Sequence, residues 1–113
     1  MAQDFEKLYN SQIGTDAATL MTSNSDDIIV GIRLTNTTSS ATTVDVWVDV
    51  AGAGTVASIV YIAKDLSIPP KSTVELIQGG AKVVIQSTDL LRAKAYGNRP
   101  NIAAWVSFVD AIS

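Results

Sequence analysis

Histidine and cysteine are both absent from this chain of 113 residues. Their absence removes imidazole bases, thiol nucleophiles, disulfides and nearly every zinc or copper site. Serine and threonine hydroxyls are abundant, but no imidazole is available to activate them. An adjacent Lys–Ser pair, Lys71-Ser72, follows two prolines in a predicted surface turn. We therefore expect no catalytic, cofactor or metal site and predict that the chain is not an enzyme.

Charge is also scarce: charged residues make up 17% of the chain, against roughly 25% in typical soluble proteins. Residues 1–49 hold seven acids and two bases, and residues 50–113 hold four acids and six bases. Neither part contains a dense basic cluster, so nucleic acid is not an expected partner. Such a weakly solvated surface suggests that neighbouring molecules cover part of it.

Long apolar segments are missing as well. No uninterrupted apolar run exceeds five residues, far short of the roughly 18 that a membrane span needs. The acidic start, Met1-Ala-Gln-Asp-Phe-Glu-Lys, is not expected to act as a secretory signal, because it lacks an apolar core. A membrane is therefore not an expected partner.

Alternating apolar and polar residues dominate the rest of the chain. Valines alternate with Asp45, Trp47 and Asp49 over 44–50, and a similar pattern covers 28–34. A period of two is typical of strands with one buried face, and β-branched residues favour that surface. Further strands of this kind are predicted over 17–22, 58–63, 74–78, 82–86, 91–96 and 104–109.

Glycine and proline separate these strands. Gly52-Ala-Gly54 allows a tight reversal, Pro69-Pro70 ends a strand, and Gly79-Gly80 marks another turn. About eight short strands at this spacing predict a single antiparallel β-sandwich of jelly-roll or immunoglobulin-like type. The predicted core comprises Ile28, Val30, Ile32, Leu34, Val44, Val46, Val48, Ile59, Tyr61, Val74, Leu76, Leu91, Val106 and Phe108.

Residues 4–13 depart from the strand pattern. Phe5, Leu8, Tyr9 and Ile13 follow helical spacing and predict a short amphipathic helix or arm. The chain is accordingly divided into an N-terminal arm or helix, residues 1–14, and a β-sandwich domain, residues 15–113. Two interpretations stay open for the arm, a frayed terminus and a segment whose apolar stripe packs on a neighbouring subunit.

Both tryptophans are predicted to point away from the core, because they alternate out of phase with buried neighbours. Outward tryptophans fill subunit interfaces or stack on a carbohydrate, and the interface is the favoured interpretation. The candidate interface residues are Phe5, Leu8, Tyr9, Trp47 and Trp105.

Other polar motifs do not predict chemistry. Asp45 and Asp49 share a strand face about 13 Å apart, too far for a glycosidase pair. Asp26 and Asp27 lie in a predicted turn without calcium-loop spacing. The triplet Asn36-Thr37-Thr38 matches an N-glycosylation sequence, but we interpret it as an ordinary polar loop. Residues 52–57 match a dinucleotide-binding glycine pattern, yet a strand rather than a helix is predicted to follow.

Several segments together resemble a known family. They are Ile29-Val-Gly-Ile-Arg-Leu-Thr-Asn36, Thr43-Val-Asp-Val-Trp-Val48, Tyr61-Ile-Ala-Lys-Asp-Leu-Ser-Ile-Pro-Pro70, Ser72-Thr-Val-Glu-Leu76, Gly79-Gly-Ala-Lys-Val-Val84, Asp89-Leu-Leu-Arg-Ala93 and Ala104-Trp-Val-Ser-Phe-Val109. In this order they resemble small β-sandwich virion proteins of tailed bacteriophages, of the marine and cyanobacterial type. The sequence departs from that pattern at Ser87-Thr88-Asp89 and at Pro70-Lys71.

The resemblance implies a non-enzymatic structural or accessory protein of the virion, assembled in the host cytoplasm. It implies a homo-oligomer that also binds other virion proteins, as a capsid decoration, collar, neck or tail component, and it brings no catalytic residues. The alternative function is a carbohydrate-binding or receptor-adhesion module of a tail fibre or baseplate, which would use Trp47 and Trp105.

Overall fold

The computed structural model describes residues 3–24, 26–77 and 83–111 of the chain. Nine β-strands account for most of these residues. They are β1 (Gln3–Ile13), β2 (Ala18–Thr22), β3 (Asp26–Asn36), β4 (Thr42–Asp49), β5 (Ile59–Ile68), β6 (Thr73–Glu75), β7 (Val83–Ile85), β8 (Leu90–Tyr96) and β9 (Ile102–Ala111). Two single 3-10 turns, Val50–Gly52 and Val56–Ser58, lie between β4 and β5.

The strands form two antiparallel sheets that pack as a sandwich. The first sheet has the order β1-β9-β3-β6, with β7 also paired to β3, and the second has the order β2-β8-β4-β5. In sequence, each strand pair encloses the previous one: β4 pairs with β5, β3 with β6 and β7, β2 with β8, and β1 with β9. Successive pairs lie in alternate sheets, which is the winding of a jelly roll. The predicted all-β sandwich is confirmed, in its jelly-roll form.

The N-terminal segment is a strand, so the predicted helix is wrong. β1 pairs with β9 from Gln3 to Ile13 with an irregularity between Asn10 and Ile13. Ile13 is fully buried in the core. Pairing with β9 satisfies one row of backbone groups, whereas a lone helix of this length would be marginal in water. A separate functional role for residues 1–14 stays a prediction.

A bulge in β3 shifts which residues reach the core. The register with β9 slips between Ile29 and Gly31, and an extra residue at a bulge reverses the faces on either side of it. Ile29 is fully buried, while Ile28 and Val30 are only half-buried. The predicted core positions of Ile28 and Val30 are therefore wrong, whereas Ile32 beyond the bulge is buried as predicted.

Two further irregularities in β5 have the same effect. The register with β4 slips on both sides of Val46, and Asp65 adopts a positive φ of 54°. Tyr61 is consequently 47% exposed on the outer face, which contradicts its predicted core position, and Ile62 packs against the core instead.

Most predicted core residues lie where the alternation puts them. Ile32, Leu34, Val44, Val46, Leu91, Val106 and Phe108 are buried, and Val48, Val74 and Leu76 pack against them.

The turns follow the predicted chemistry where the structure describes them. Gly52 and Gly54 have φ values of +62° and +69°, which a residue with a side chain adopts at a cost. β5 ends at Ile68, immediately before Pro69-Pro70. The predicted Gly79-Gly80 turn lies outside the described residues. Within the described ranges, no helix has the length and apolar character needed to cross a bilayer.

Candidate interaction surface

The outer face of the first sheet carries a row of large side chains that crosses four of its five strands. Tyr9 on β1 pairs in register with Trp105 on β9, Trp105 with Arg33 on β3, and Arg33 with Glu75 on β6. The rings of Tyr9 and Trp105 stack with centroids 5.8 Å apart and planes 16° apart. We call this row, Tyr9, Trp105, Arg33 and Glu75, the ridge.

The ridge is held in place at both ends. The Arg33 Nε and Nη2 groups donate to Glu75 Oε1 at 2.9 and 2.6 Å. Toward the other end, the Tyr9 ring stacks on Trp105, and Lys7 Nζ lies 5.8 Å from the centroid of the Trp105 ring, within cation–π range. Tyr9 and Trp105 are nevertheless 66% and 43% exposed, so an ordered aromatic surface faces solvent.

A trough runs parallel to the ridge on one side of it. Its residues lie two positions away from the ridge residues in β3 and β9. Its floor is the cross-strand pair Gly31 and Ser107, and Trp105, Arg33 and Glu75 form its wall. The trough has a volume of about 270 Å³. A Cβ added at Gly31 would meet nothing closer than Ser107 Cβ at 4.0 Å, so the absent side chain leaves open space. We call this the upper trough.

A second depression, the lower trough, flanks the ridge on its other side. Its floor includes Ala103 and Thr35, which pair across β9 and β3. Tyr9, Arg33 and Trp105 form the wall that it shares with the ridge, and its volume is about 360 Å³. Small side chains at these floor positions keep the sheet open on both sides of the ridge.

An apolar row lies beyond the upper trough. Phe5 pairs with Val109, Val109 with Ile28, and Ile28 with Val84. Phe5 is 84% exposed and Val84 is 61% exposed. Along the strand direction, the outer face of this sheet therefore consists of four successive rows: the lower trough, the ridge, the upper trough and the apolar row. Exposed apolar side chains arranged this way are typical of a contact surface.

The five candidate interface residues do not share one surface. Phe5, Tyr9 and Trp105 stand on the outer face just described. Leu8 points to the other side of β1, where it pairs with inward-facing Val106 and is 37% exposed. Trp47 lies on the outer face of the second sheet, on the opposite side of the molecule.

Trp47 is covered by its own chain. It is 8% exposed, its ring lies 5.9 Å from that of Tyr61, and Arg92 is its register partner on β8. It therefore offers little surface to a partner, although it lies on the outer face. Alternation correctly placed it outside the core, but long side chains on neighbouring strands cover it.

Asp45, beside Trp47, forms a buried polar cluster. One carboxylate oxygen accepts the Asp65 backbone N–H at 2.8 Å, and the other accepts Lys64 Nζ at 3.0 Å and the Tyr96 hydroxyl at 2.9 Å. Burial opposes ionisation, but these hydrogen bonds outweigh it and hold the pKa of Asp45 below its ordinary value. The cluster fixes the irregular turn of β5 at Asp65, which is a structural function.

Asp49 and Asn36, two further residues of the polar motifs in the sequence, also serve the fold. Asp49 accepts the Gly54 N–H and the Ser58 hydroxyl, at 3.1 and 2.7 Å from its Oδ1, so it closes the β4–β5 connection. Asn36 is fully buried. Its Nδ2 donates to the Ile68 carbonyl at 3.0 Å, which leaves that nitrogen inaccessible to a glycosylating enzyme in the folded chain.

No reactive pairing occurs at the other polar motifs. Lys71 Nζ donates to the Thr37 carbonyl and the Ser72 hydroxyl to the Pro70 carbonyl, so neither group is directed at the other. Asp26 is exposed and Asp27 is buried, because neighbouring strand residues face opposite ways. The part of the chain that the structure describes contains no group of three acidic side chains placed to hold a metal ion.

Arg33, Gly31 and Ser107 are the surface residues that sequence reasoning missed. Alternation along β9 already puts Ser107 on the same side of the strand as Trp105. Alternation along β3 likewise puts Gly31 on the same side as Arg33. What the sequence lacks is the register between strands, which alone puts Gly31 beside Ser107 and Arg33 beside Trp105.

Comparisons with known proteins bear on the fold. No protein-family model matches the sequence, and no curated protein matches it significantly. Among solved structures, a chain in the "acidic stable capsid structure" of Helicobacter pylori bacteriophage KHP30 aligns with a TM-score of 0.57 and 12% identity. The alignment covers 97% of this chain and 89% of that one.

A second similar fold occurs in a larger protein. A chain of the T13 viral particle of IBDV aligns with a TM-score of 0.50 and 15% identity, over 95% of this chain but only 34% of that one. At these identities the similarity establishes the fold, a jelly roll that is also found in viral capsid chains, and nothing finer.

Proposed function

We propose that this chain is a non-enzymatic structural protein of a virus particle. The observation that carries the proposal is the alignment over almost the whole of both chains with a component of a bacteriophage capsid structure. The open outer face of the first sheet supports it, because a structural protein acts through the surface that it buries against neighbours. The absence of histidine and cysteine agrees with a function that needs no chemistry.

Within such a particle, the finer proposal is an accessory component rather than the protein that builds the shell. The alignment covers 89% of the matched phage chain but only 34% of the matched IBDV chain. A single jelly roll with one open outer face fits a decoration, collar, neck or tail component, present in many copies and bound to other virion proteins. Phe5, Leu8, Tyr9 and Trp105 are its proposed contact residues.

Carbohydrate binding by an adhesion module is the less supported alternative. A sugar platform needs a free aromatic face, but Trp47 is nearly buried, and Tyr9 and Lys7 both lie against the Trp105 ring. A glycan array with the wild-type chain and Trp105→Ala distinguishes the two functions. Binding that the substitution abolishes would favour the adhesion module.

Mass spectrometry of purified particles of the virus that encodes this chain tests the proposal. We expect the chain in intact particles at many copies each, and a cryo-EM map should place its sandwich on the head, neck or tail. Absence from purified particles, together with its presence in the infected-cell extract, would show that the proposal is wrong.

A further inference from the structure

We infer that the outer face of the β1-β9-β3-β6 sheet binds the same face of a second copy of this chain around a two-fold axis. The inference rests on the proposed function in one respect, which is that many copies of the chain meet in a virus particle. The structural basis of the inference is independent of that function: the ridge is complementary in shape to the upper trough, and the apolar row to the lower trough. A two-fold contact requires that kind of self-complementary surface.

The operator follows from the order of the rows. Consider a two-fold axis that lies in the contact plane, parallel to the rows and midway between the ridge and the upper trough. Rotation about it carries the ridge of one copy over the upper trough of the other, and the reverse. Since neighbouring rows are about 6.7 Å apart along the strands, the same rotation carries the apolar row over the lower trough.

The side chains that this operator brings together fit by size. Trp105 of each copy lies over Ser107 of the other, and Arg33 lies over Gly31, so the two largest groups of the ridge enter the two smallest floor positions. In the outer rows, Val109 and Ile28 lie over Ala103 and Thr35. Each large row is therefore matched to a trough and no two large rows collide.

Charge permits the contact. In the four rows, the described side chains include two cations, Lys7 and Arg33, and one carboxylate, Glu75, which already pairs with Arg33. The operator carries Tyr9 of one copy over Lys7 of the other, and an aromatic ring over an ammonium group is favourable. Like charges do not face each other at the centre of the interface.

The area is close to the lower bound for a specific interface, about 1,000 Å² in total over both partners. Four strands about 4.8 Å apart and four rows about 6.7 Å apart span roughly 19 by 27 Å. This gives on the order of 500 Å² before the relief of the ridge is added, against roughly 800 Å² per partner in a standard interface.

Sedimentation equilibrium on the purified full chain tests the association. At about 10–200 µM, a range suited to micromolar dissociation constants, we expect a dimer for the wild type. Ser107→Arg fills the upper trough and should raise the dimer dissociation constant at least about 100-fold. The same change at an exposed position of the other sheet, Ser67→Arg, is the matched control and should leave the dimer intact. Circular dichroism verifies that both variants fold.

Cross-linking tests the proposed two-fold arrangement. Because the chain has no native cysteine, only the introduced thiols can react. The operator places Val109 of one copy over Ala103 of the other. An equimolar mixture of Ala103→Cys and Val109→Cys should therefore form cross-linked dimers with a short bis-maleimide at least about tenfold faster than either variant alone. Equal rates in the mixture and in the separate variants would overturn this geometry.

The outcomes separate this inference from the proposed function. A monomer over the whole concentration range overturns the inference, and so does a dimer that Ser107→Arg leaves intact. If the monomer instead binds purified particles through this face, the partner is another virion protein and the proposed function stands. A dimer of the expected geometry in a chain that is absent from particles supports the inference and contradicts the proposed function.

Discussion

The buried carboxylate of Asp45 shows how a charged residue on a strand stabilises an irregular neighbour. Its three donors come from β5 and β8, so one side chain ties together three strands of the second sheet. Lys64, one of these donors, has its pKa raised chiefly by the hydrogen bond to Asp45. Tyr96 is half-buried, whereas the Lys64 side chain is 52% exposed, so loss of the Tyr96 hydroxyl should reduce stability more than loss of the Lys64 ammonium group.

Asp45→Asn is expected to lower the free energy of unfolding at pH 7 by about 1–3 kcal/mol, because it removes acceptor capacity in a buried network. The pKa of Asp45 is lowered in the fold, so its contribution is complete above about pH 4 and is lost as the pH falls through the folded-state pKa. Urea denaturation at several pH values should show the difference from wild type shrinking below about pH 4. Lys64→Gln, the control at the exposed partner, should lower the free energy of unfolding less than Asp45→Asn does.

Ionisation of Asp27 has the opposite effect on stability from ionisation of Asp45. Burial raises its pKa, and Asp110 and Asp26 raise it further, while the Ser23 hydroxyl, which donates at 2.8 Å, lowers it. A raised pKa means that ionisation of this carboxyl reduces stability as the pH rises above its unfolded value.

Asp27→Asn should therefore increase the free energy of unfolding at neutral pH, by about 1 kcal/mol, or about 4–8 °C in Tm. The gain should vanish below about pH 4, where the wild-type carboxyl is neutral. Thermal unfolding at pH 7 and at low pH measures both effects, with the exposed loop residue Asp16→Asn as control. A gain that persists unchanged in acid would contradict the assignment to ionisation.

At the scale of elements, β1 combines an anchored end and an exposed end. Ile13 is fully buried, whereas Phe5 at the other end is 84% exposed. β1 is also the edge of its sheet. An edge strand presents unpaired backbone groups to neighbours, but the charged residues Glu6 and Lys7 oppose simple extension of the sheet. Contact through the outer face, rather than along the edge, is consistent with this distribution.

Ile13→Ala is expected to destabilise the chain by about 2–5 kcal/mol, since it leaves a cavity in the core. Phe5→Ala should change the stability of the isolated monomer by less than about 0.5 kcal/mol. Urea denaturation at a concentration where the chain is monomeric checks both values. Comparable losses for the two substitutions would show that β1 is not held at Ile13 as the structure indicates.

At the scale of the whole molecule, the two sheets share one core and should unfold together. Trp47 and Trp105 lie in different sheets, so each reports on one half of the sandwich. The nested pairing joins the first and last strands, β1 and β9, and leaves neither sheet able to complete its core alone.

Trp47→Phe and Trp105→Phe therefore provide one fluorescent probe for each sheet. Within each variant, the fluorescence transition in urea should coincide with that of far-UV circular dichroism, as cooperative two-state unfolding requires. The midpoints of the two variants need not agree, because Trp47 is nearly buried and Trp105 is partly exposed. Separate transitions for the two probes within one variant would mean that the sheets unfold independently.

The sequence by itself determined the class of the fold and the absence of imidazole and thiol groups. Alternation along each strand is a local property, so residues such as Val44, Val46 and Leu91 could be assigned to the core without knowledge of their neighbours. The absence of histidine and cysteine is likewise independent of the fold.

Only the tertiary structure decided which side chains meet. The bulge at Ile29–Gly31 reverses which residues of β3 face the core. The alternation within β3 cannot reveal it, because a residue is extra only in comparison with the partner strand. The same holds for β1, whose spacing suits a short helix but whose backbone groups are satisfied by β9, a hundred residues later. The ridge of Tyr9, Trp105, Arg33 and Glu75 comes from four distant segments, and their alignment is set by the register between strands, which is a property of the assembled sheet.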